Sequence, residues 1–546
     1  MPKITIREED LTSSRVDNIT SNTVYIPGYA ISGPVNTPVL CNTLAEFTST
    51  FGSKPYRFDT NQSWPQGATG FTDGTRPSGY FAEAGSPDKS YLMAYELLKA
   101  GLPVYFERVF DSTQIESWKY STVFQSKGDA KDVLKLTSVS IDSSNKNIVC
   151  SIEYDTTTKK YKLRVGRKAD TELGTSEVKT ALTEVSVSDM SMNGVVDNSG
   201  LVVINIVNVT GDGDTLNYET GKEYTLSLPV TSTAYDFSVS KMYDYLNQEN
   251  TYKRLSSRGD YSIKYITSGG YPTFEYNGNS ITDKMLKAAA ERGDATALID
   301  HTPLNSRSLV GTGSVYESVK TYCSGNLVSE TLKEPVYTYG AMYTPYALYN
   351  TTLVSNVELP GSFAYLAALA NSVVSNANWY SVAGVSRGEI PGIVALSQNI
   401  TDSIASAYTP KDNISINPIL NVRPYGLVIW GNRTLKNNRT KGELTATSFM
   451  NIRQLVSDVK KVVYSASRRL TFEPNNDILW INFKSLVTPT LDEMLHDNGL
   501  TEYELKKQKA EDSTTLKARI ILKCVEAVED FDITISLTDS ESTITE

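Results

Sequence analysis

The sequence predicts a multidomain α/β protein. Its parts are a discontinuous α/β core, a C-terminal α/β domain, an inserted all-β domain and extended terminal strands (arms). Three observations support this prediction. Strand-like and helix-like segments alternate before residue 112 and after residue 235, which is typical of an α/β core. Between these positions, short alternating runs are separated by turn residues and show no helical periodicity. The β-prone runs at the two ends need a partner sheet, because an isolated strand is not stable.

The length of 546 residues suggests roughly three or four domains at about 150 residues each. With 40% hydrophobic residues, the chain can bury substantial cores. The predicted divisions are an N-terminal arm (1–22), a first part of the α/β core (23–111), the inserted all-β domain (112–235), a second part of the core (236–420), the C-terminal α/β domain (421–516) and the C-terminal strands (517–546).

Composition argues against several classes of protein. The net charge of -10, from 52 basic and 62 acidic residues, disfavours bulk nucleic-acid binding. No apolar run reaches the roughly 18 residues of a membrane span, and the charged start, MPKITIREED, is unlike a signal peptide. The four cysteines lie far apart, which fits buried, reduced thiols. With only two histidines, a histidine-built metal site is not expected, and no cofactor is predicted.

Strands and helices are predicted in both parts of the α/β core. A short strand carries Ile4 and Ile6 on one side, and a helix is predicted from about Leu44. In the second part, Thr282 is the candidate N-cap of a helix that ends near Gly293. The remaining segments are a helix beginning at Ser86-Pro87-Asp88, strands in PVYFERVF, YSIKYITSGGYP and ATALIDH, and a helix in SFAYLAALANSVVSN.

The insertion and the C-terminal domain have different patterns. The insertion contains the strand-like runs VLKLTSVSI, IVCSIEY, YKLRVGR, LVVINIVNV and YTLSLPV. The C-terminal domain begins with a strand in NVRPYGLVIWGNRTL and continues with an amphipathic helix whose candidate N-cap is Ser448. Asn476 is the candidate cap of a second helix, which Pro489 should kink or divide. The strand-like runs ARIILKCVEAV and DITISL come last.

Two short motifs suggest chemistry that the rest of the sequence does not support. Ser386 lies in a G-x-S-x-G pattern, which is typical of a hydrolase nucleophile. However, Pro391 disfavours a helix directly after it, and His496 is the only histidine downstream. Arg-Gly-Asp tripeptides at 258–260 and 292–294 suggest adhesion, but the second lies at a predicted helix end where glycine is expected.

Several phrases in this chain resemble a known family. The phrases WGNRTL, FMNIRQL and FEPNNDILW occur in that order before a C-terminal strand. They resemble the C-terminal domain of contractile-tail sheath proteins of bacteriophages. Near the N-terminus, the pattern from Gly28 to Gly52 is similar to the same family. The resemblance covers roughly residues 1–110 and 260–540, and it does not cover the insertion.

The resemblance implies a non-enzymatic structural subunit that polymerises into a helical contractile sleeve around the tail tube. Contraction would drive the tube through the host envelope during genome delivery. The implied partners are other copies of the chain, the tail tube protein, and baseplate and tail-terminator or neck proteins, without nucleic acid or membrane insertion. The implied location is the virion tail, after synthesis in the host cytoplasm. The alternatives are a secreted or surface β-rich adhesion protein and a serine hydrolase using Ser386.

Two sets of residues are the candidate interaction sites. The first set is expected to pair with a sheet of a neighbouring subunit by β-augmentation. It comprises Ile4, Ile6, Ile520, Ile521, Leu522, Ile533 and Ile535. The second set is basic, and the family resemblance implies that its domain faces the inner tube. It comprises Lys460, Lys461, Arg468 and Arg469, for which solvated helix faces are the alternative interpretation.

Overall fold

The computed structural model describes residues 22–65, 68–69, 80–110, 119–141, 143–169, 177–210, 213–228, 237–273, 275–300, 315–323, 335–410, 413–436, 444–510 and 512–527. In this part of the chain, several β-sheets combine with α-helices, so the mixed α/β class is confirmed. None of the helices in these ranges combines the length and the apolar character needed to cross a membrane.

Residues 22–110 supply three strands of the main sheet and two helices that pack on it. The elements are β1 (Val24–Gly28), β2 (Val39–Cys41), α1 (Leu44–Phe51), β3 (Gln62–Ser63), β4 (Ala68–Thr69), β5 (Tyr80–Ala82), α2 (Lys89–Lys99) and β6 (Val104–Arg108). The predicted start of α1 at Leu44 is confirmed. Thr43 fixes this start because its side chain accepts a hydrogen bond from the amide of Glu46.

Residues 119–228 form two four-stranded sheets with their own apolar core. The strands are β7 (Ser121–Gln125), β8 (Asp132–Ser138), β9 (Ile148–Asp155), β10 (Lys160–Arg167), β11 (Val178–Val185), β12 (Val195–Val196), β13 (Val202–Ile206) and β14 (Tyr224–Thr225). The strand orders are β11-β10-β9-β14 and β12-β13-β8-β7. Leu134, Leu163 and Val202 meet in the core between the sheets. The sequence patterns predicted β8, β9, β10, β13 and β14 but not the other three strands.

Residues 237–436 complete the main sheet. The elements are α3 (Val239–Leu246), α4 (Glu249–Lys253), β15 (Tyr265–Ile266), β16 (Glu275–Tyr276), β17 (Asn279–Ser280), α5 (Ile281–Arg292), β18 (Thr296–Ile299), α6 (Val315–Cys323), β19 (Gly340–Thr344), β20 (Ala347–Tyr349), β21 (Val357–Leu359), α7 (Gly361–Ser372), α8 (Gly384–Arg387), β22 (Ile393–Leu396), α9 (Asp402–Tyr408), β23 (Asn417–Val422) and β24 (Gly426–Ile429). Ser280, not the predicted Thr282, caps α5, because its hydroxyl accepts from the amide of Asp283. Gly293 ends α5 in the left-handed conformation, as predicted.

The main sheet has eight strands in the order β2-β6-β1-β15-β18-β19-β23-β24. The strands from β6 to β23 are parallel, and β2 and β24 are antiparallel edges. Each face is buried against helices, as expected for a largely parallel sheet. Side chains of β1 alternate between the two layers: Tyr25 packs with α3 and α5, whereas Ile26 packs with α1, α2 and α7.

Residues 444–527 form a unit of two long helices and a two-stranded sheet. Its elements are α10 (Met450–Leu470), α11 (Asp477–His496), β25 (Leu500–Gln508) and β26 (Lys517–Cys524). Asn476 caps α11 as predicted, since its side chain accepts from the Leu479 amide at 3.0 Å. Ser448 is not the N-cap of α10; it forms a capping box with Thr445 in the turn before the helix. Pro489 does not divide α11, because buried Val487 and Leu491 hold the helix on either side of it.

Candidate assembly surfaces

Helix α10 has two buried faces of opposite character. Leu455, Val459 and Ala466 pack on α11 and form an apolar core with it. A second face is polar and is buried against the main sheet. There, Gln454 Nε2 donates to Tyr265 Oη at 2.8 Å, and Asn451 Oδ1 accepts from Asn432 Nδ2 at 2.8 Å. This polar face joins the C-terminal unit to the core.

The hairpin formed by β25 and β26 covers the apolar face of that unit. On β26, Ala518, Ile520 and Leu522 are half-buried against the helices, and the alternate residues are exposed. Within the described residues, β25 and β26 pair only with each other. Each strand therefore has an unpaired edge. A two-stranded sheet is marginally stable by itself, and a free edge is a template for another strand.

The predicted strand-pairing residues divide into two groups. Ile520, Ile521 and Leu522 lie in β26, opposite Leu505, Glu504 and Tyr503 of the same chain. These three are therefore part of the hairpin and do not belong to an arm that leaves it. Their pairing with a neighbouring subunit's sheet, through the other edge of β26, stays a prediction. No sequence pattern predicted β25, which is their partner. Ile4, Ile6, Ile533 and Ile535 lie outside the described residues.

The four predicted basic residues occupy different environments. Lys461 is only 5% exposed, so it cannot form a solvated or partner-facing surface, and this prediction is wrong. Lys460 is half-buried, and its ammonium lies 3.1 Å from Tyr339 Oη. Arg468 and Arg469 are exposed at the C-terminal end of α10. Helical geometry explains the division, because neighbouring residues point about 100° apart and Lys461 is the one that faces the sheet.

Lys461 belongs to a buried ionic cluster between α10 and the core. Lys264 Nζ and Asp458 Oδ2 form an ion pair at 2.8 Å, and both side chains are almost fully buried. Arg292 Nε and Asp294 Oδ1 form a second pair at 2.9 Å. The ammonium of Lys461 has no hydrogen-bond partner within the described residues. Burial lowers the pKa of Lys461 from 10.5 to about 8, and attraction to Asp294 and Asp458 opposes this only in part.

Two carboxylates, those of Asp88 and Asp300, are buried at the carboxyl ends of the main-sheet strands, and no sequence pattern predicted their burial. Asp88 accepts from the Tyr29 amide at 2.8 Å and from Tyr271 Oη at 2.7 Å. Asp300 accepts from the Ser362 amide at the start of α7 at 3.0 Å. Burial raises the pKa of Asp88 to about 6 and that of Asp300 to about 7. Asp88 thus links the start of α2 to the backbone that follows β1, and Asp300 links the end of β18 to the start of α7.

Ser386 and the second Arg-Gly-Asp tripeptide lie in settings that do not suit the chemistry they suggested. Ser386 lies in the four-residue helix α8, and residues 373–383 before it form no strand, so a strand-to-helix elbow is absent there. Arg292 of the second Arg-Gly-Asp tripeptide is fully buried and donates to Leu255 O at 2.8 Å. Among the described residues, no three His, Cys, Asp or Glu side chains are grouped as metal ligands.

Comparisons with known proteins agree with the family resemblance. No family model matches the chain. Over 149 residues it is 27% identical to the tail sheath protein of Vibrio phage KVP40, a match that spans 27% of this chain and 21% of that protein. The crystal structure of the sheath tail protein Lin1278 from Listeria innocua aligns over 92% of this chain and 95% of that one, with 10% identity and a TM-score of 0.51.

This chain has the sheath-protein fold. A second solved structure, the anti-feeding prophage baseplate in the contracted state, contains a chain that aligns over 99% of both proteins, with 14% identity and a TM-score of 0.52. The resemblance predicted from the sequence phrases is therefore confirmed at the level of the fold. The sheath fold also extends over the residues that the phrases did not cover, since these two alignments include nearly the whole chain.

Proposed function

We propose that this chain is a structural, non-enzymatic subunit of a contractile sheath. Copies polymerise into a helical sleeve around a tail tube and contract to drive the tube through the host envelope during genome delivery. The observation that carries this proposal is the hairpin β25–β26, whose two edges are unpaired within the described residues. The sheath fold and the similarity to a phage tail sheath protein support it.

The hairpin suits strand exchange between subunits. The β-prone segments that contain Ile4 and Ile6, and Ile533 and Ile535, are candidates to add strands to a neighbour's hairpin. A head-to-tail contact of this kind that does not close on itself gives a helix of subunits. Each backbone hydrogen bond contributes about 0.5–1.5 kcal/mol net. A few such bonds per strand keep neighbours attached while the larger interfaces rearrange.

Polymerisation is tested directly by electron microscopy of the purified full-length protein. We expect hollow helical tubules whose length increases with protein concentration, because each added subunit offers a new free edge. A defined small oligomer at all concentrations would contradict the proposal. The same images measure whether the inner diameter leaves room for a tube.

The tube-facing surface is proposed to include Arg469 at the end of α10. Arg469 is exposed, and it is followed in the chain by the exposed apolar side chains of Phe472, Ile478 and Ile481. Arg469→Glu should weaken co-sedimentation of the sheath with tubes, most strongly at low salt, without affecting polymerisation of the sheath alone. Unchanged tube binding at every salt concentration would show that Arg469 is a solvated side chain and does not contact the tube.

We also propose partners at the two ends of the sleeve and a location in the virion, on the basis of the sheath fold and the similarity to a phage tail sheath protein. The sleeve would end on baseplate proteins at one side and on tail-terminator or neck proteins at the other, as part of a virion tail assembled in the host cytoplasm. Nucleic acid, membrane lipid and cofactors are not required. Antibodies against the insertion should decorate purified particles along the tail, and labelling confined to the head would contradict this location.

Residues 112–235 are proposed to be a separate inserted domain on the outside of the sleeve. Their strands share a core of their own, and the chain leaves and re-enters the main body at Phe110 and Phe237, whose ring centroids are 5.9 Å apart. Replacing these residues by a short Gly/Ser linker should therefore leave a folded subunit that still forms tubules. A folded deletion variant that fails to assemble would show that the insertion takes part in the sleeve.

A further inference from the structure

A crevice opens at the carboxyl end of the main sheet, between β1 and β15, where the direction of the strand order changes. The chain from β1 leads through α2 to β6 on one side, and the chain from β15 leads through α5 to β18 on the other side. Helices α2 and α5 pack on opposite faces of the sheet. In open α/β sheets, ligands bind in the crevice that forms at such a point. The topology alone therefore makes this crevice a candidate binding site.

Two glycines shape the backbone at this crevice. Gly269 and Gly270 follow β15, and their φ values are 69° and 84°, which residues other than glycine rarely adopt. A Cβ on Gly269 would stand 2.1 Å from the carbonyl oxygen of Pro27. The loop after β15 therefore packs directly against the end of β1, and the crevice lies between this loop and the start of α2.

The crevice contains a cavity of about 440 Å³, a size that is usual for pockets that bind small molecules. Part of its wall is apolar and is formed by Phe58, Phe81, Tyr271, Val354 and Val357. The rings of Phe81 and Tyr271 are stacked, with their centroids 5.6 Å apart. A ligand that enters this cavity can therefore bury an apolar body against aromatic rings.

The charged residues of the same wall favour a cation. Its lining includes three carboxylates, those of Glu83, Asp88 and Glu358, and one ammonium, that of Lys89. The Lys89 ammonium lies 5.8 Å from the ring centroid of Phe81 and 4.0 Å from Glu358 Oε2. The wall thus already holds one ammonium between an aromatic ring and a carboxylate. Its remaining charge is negative, and Glu83 is exposed.

A buried hydroxyl near this wall is an independent indication of a ligand. Tyr346 is 4% exposed, and its Oη has no hydrogen-bond partner within the described residues. Burial, together with the nearby negative charges of Asp300 and Glu358, raises the pKa of Tyr346 well above its usual value. Buried polar atoms without a partner are uncommon in native proteins. A donor group on a bound ligand would satisfy this one.

We propose that this crevice binds a small organic ammonium ion, a primary amine that carries an apolar body. The apolar body lies against Phe81 and Val357, and the ammonium faces Glu83 and Glu358. Aromatic faces and carboxylates both attract a cation, and an aromatic wall also accepts the apolar body. The inference goes beyond the proposed function and does not depend on it, because ligand binding is measured on the single subunit.

Three probes of similar shape and different charge test the proposal: 2-phenylethylamine, the neutral 2-phenylethanol and the anionic phenylacetate. Their dissociation constants are measured by saturation-transfer NMR on the full-length protein, at protein concentrations too low for tubules. Each of the two carboxylates should strengthen binding of the amine by about two- to fivefold. We therefore expect the amine to bind roughly tenfold more tightly than the alcohol, and phenylacetate to bind most weakly. Equal affinities, or no binding of the amine, would overturn the proposal.

Variants assign the binding to this crevice. Glu83→Gln with Glu358→Gln removes two charges and keeps the size of both side chains, and circular dichroism checks the fold. The double variant should bind the amine roughly tenfold more weakly and the alcohol as the wild type does. Glu493→Gln changes an exposed carboxylate on α11 and is the matched control, which should bind all three probes as the wild type does. A folded double variant that binds the amine as tightly as the wild type would show that the crevice is not the site.

Discussion

Deleting residues 528–546 should abolish long tubules and leave a folded subunit. We expect the critical concentration for polymerisation to rise by at least about a hundredfold. A strand that contributes several backbone hydrogen bonds at about 0.5–1.5 kcal/mol each is worth on the order of 3–5 kcal/mol, and about 1.4 kcal/mol corresponds to a factor of ten. The folded unit should survive because the described core clusters lie between residues 22 and 527. Sedimentation measures the polymer, and circular dichroism measures the fold.

A finer version of this experiment keeps the length of the segment. Ile533→Asp with Ile535→Asp places charge on the face that would pack under a neighbour's hairpin. Thr534→Asp with Ser536→Asp adds the same charge to the opposite face of an extended strand, since alternate residues point to opposite sides. We expect the first pair to block tubules and the second to weaken them much less. Equal effects of the two pairs, or normal tubules after the full deletion, would contradict strand exchange.

The sequence predicts those parts of the fold whose signal is local. The apolar spacing of α10 and the cap at Asn476 each depend on residues that are close together in the sequence. The structure contains both the helix and the cap. β25 is different. Its sequence, LTEYELKKQ, is rich in residues that also favour helices. Only its inner side chains, such as Tyr503 and Leu505, are covered by the helices. A half-buried segment of this composition can be recognised as a strand only when its partner strand β26 is known.

The candidate assembly surfaces are harder to predict than the helices, because they depend on contacts between residues that are distant in the sequence. Lys460 and Lys461 are adjacent in the sequence, yet the first contacts Tyr339 and the second lies near Asp294 in a buried cluster. Arg258 and Arg468 likewise line one surface groove, although they are more than two hundred residues apart in the sequence. A single sequence shows that these residues are basic. It does not show which of them the fold turns inward, because that depends on which strands and helices pack together.

Asp458→Ala should destabilise the subunit by about 3–5 kcal/mol, the usual cost of removing one partner of a buried ion pair. Asp458 is fully buried, and its Oδ2 is 2.8 Å from Lys264 Nζ. Its loss leaves Lys264 without its counter-ion and also removes an attraction that acts on Lys461. Alanine is a better helix former than aspartate, so helix propensity works against this effect and cannot cause it. The midpoint of urea unfolding, followed by circular dichroism, gives the change in the free energy of unfolding.

A double variant identifies the cause of that loss. Lys264→Met with Asp458→Leu replaces the pair by apolar side chains, and such a replacement is often close to neutral. We therefore expect the double variant to be clearly more stable than Asp458→Ala alone. Asp477→Ala, which breaks the exposed pair between Asp477 and Lys507, is the surface control and should shift the midpoint far less, because water screens both charges. If the double variant is as unstable as Asp458→Ala, lost packing and not the unpaired charge of Lys264 is responsible, and the ionic cluster is not what holds α10 to the core.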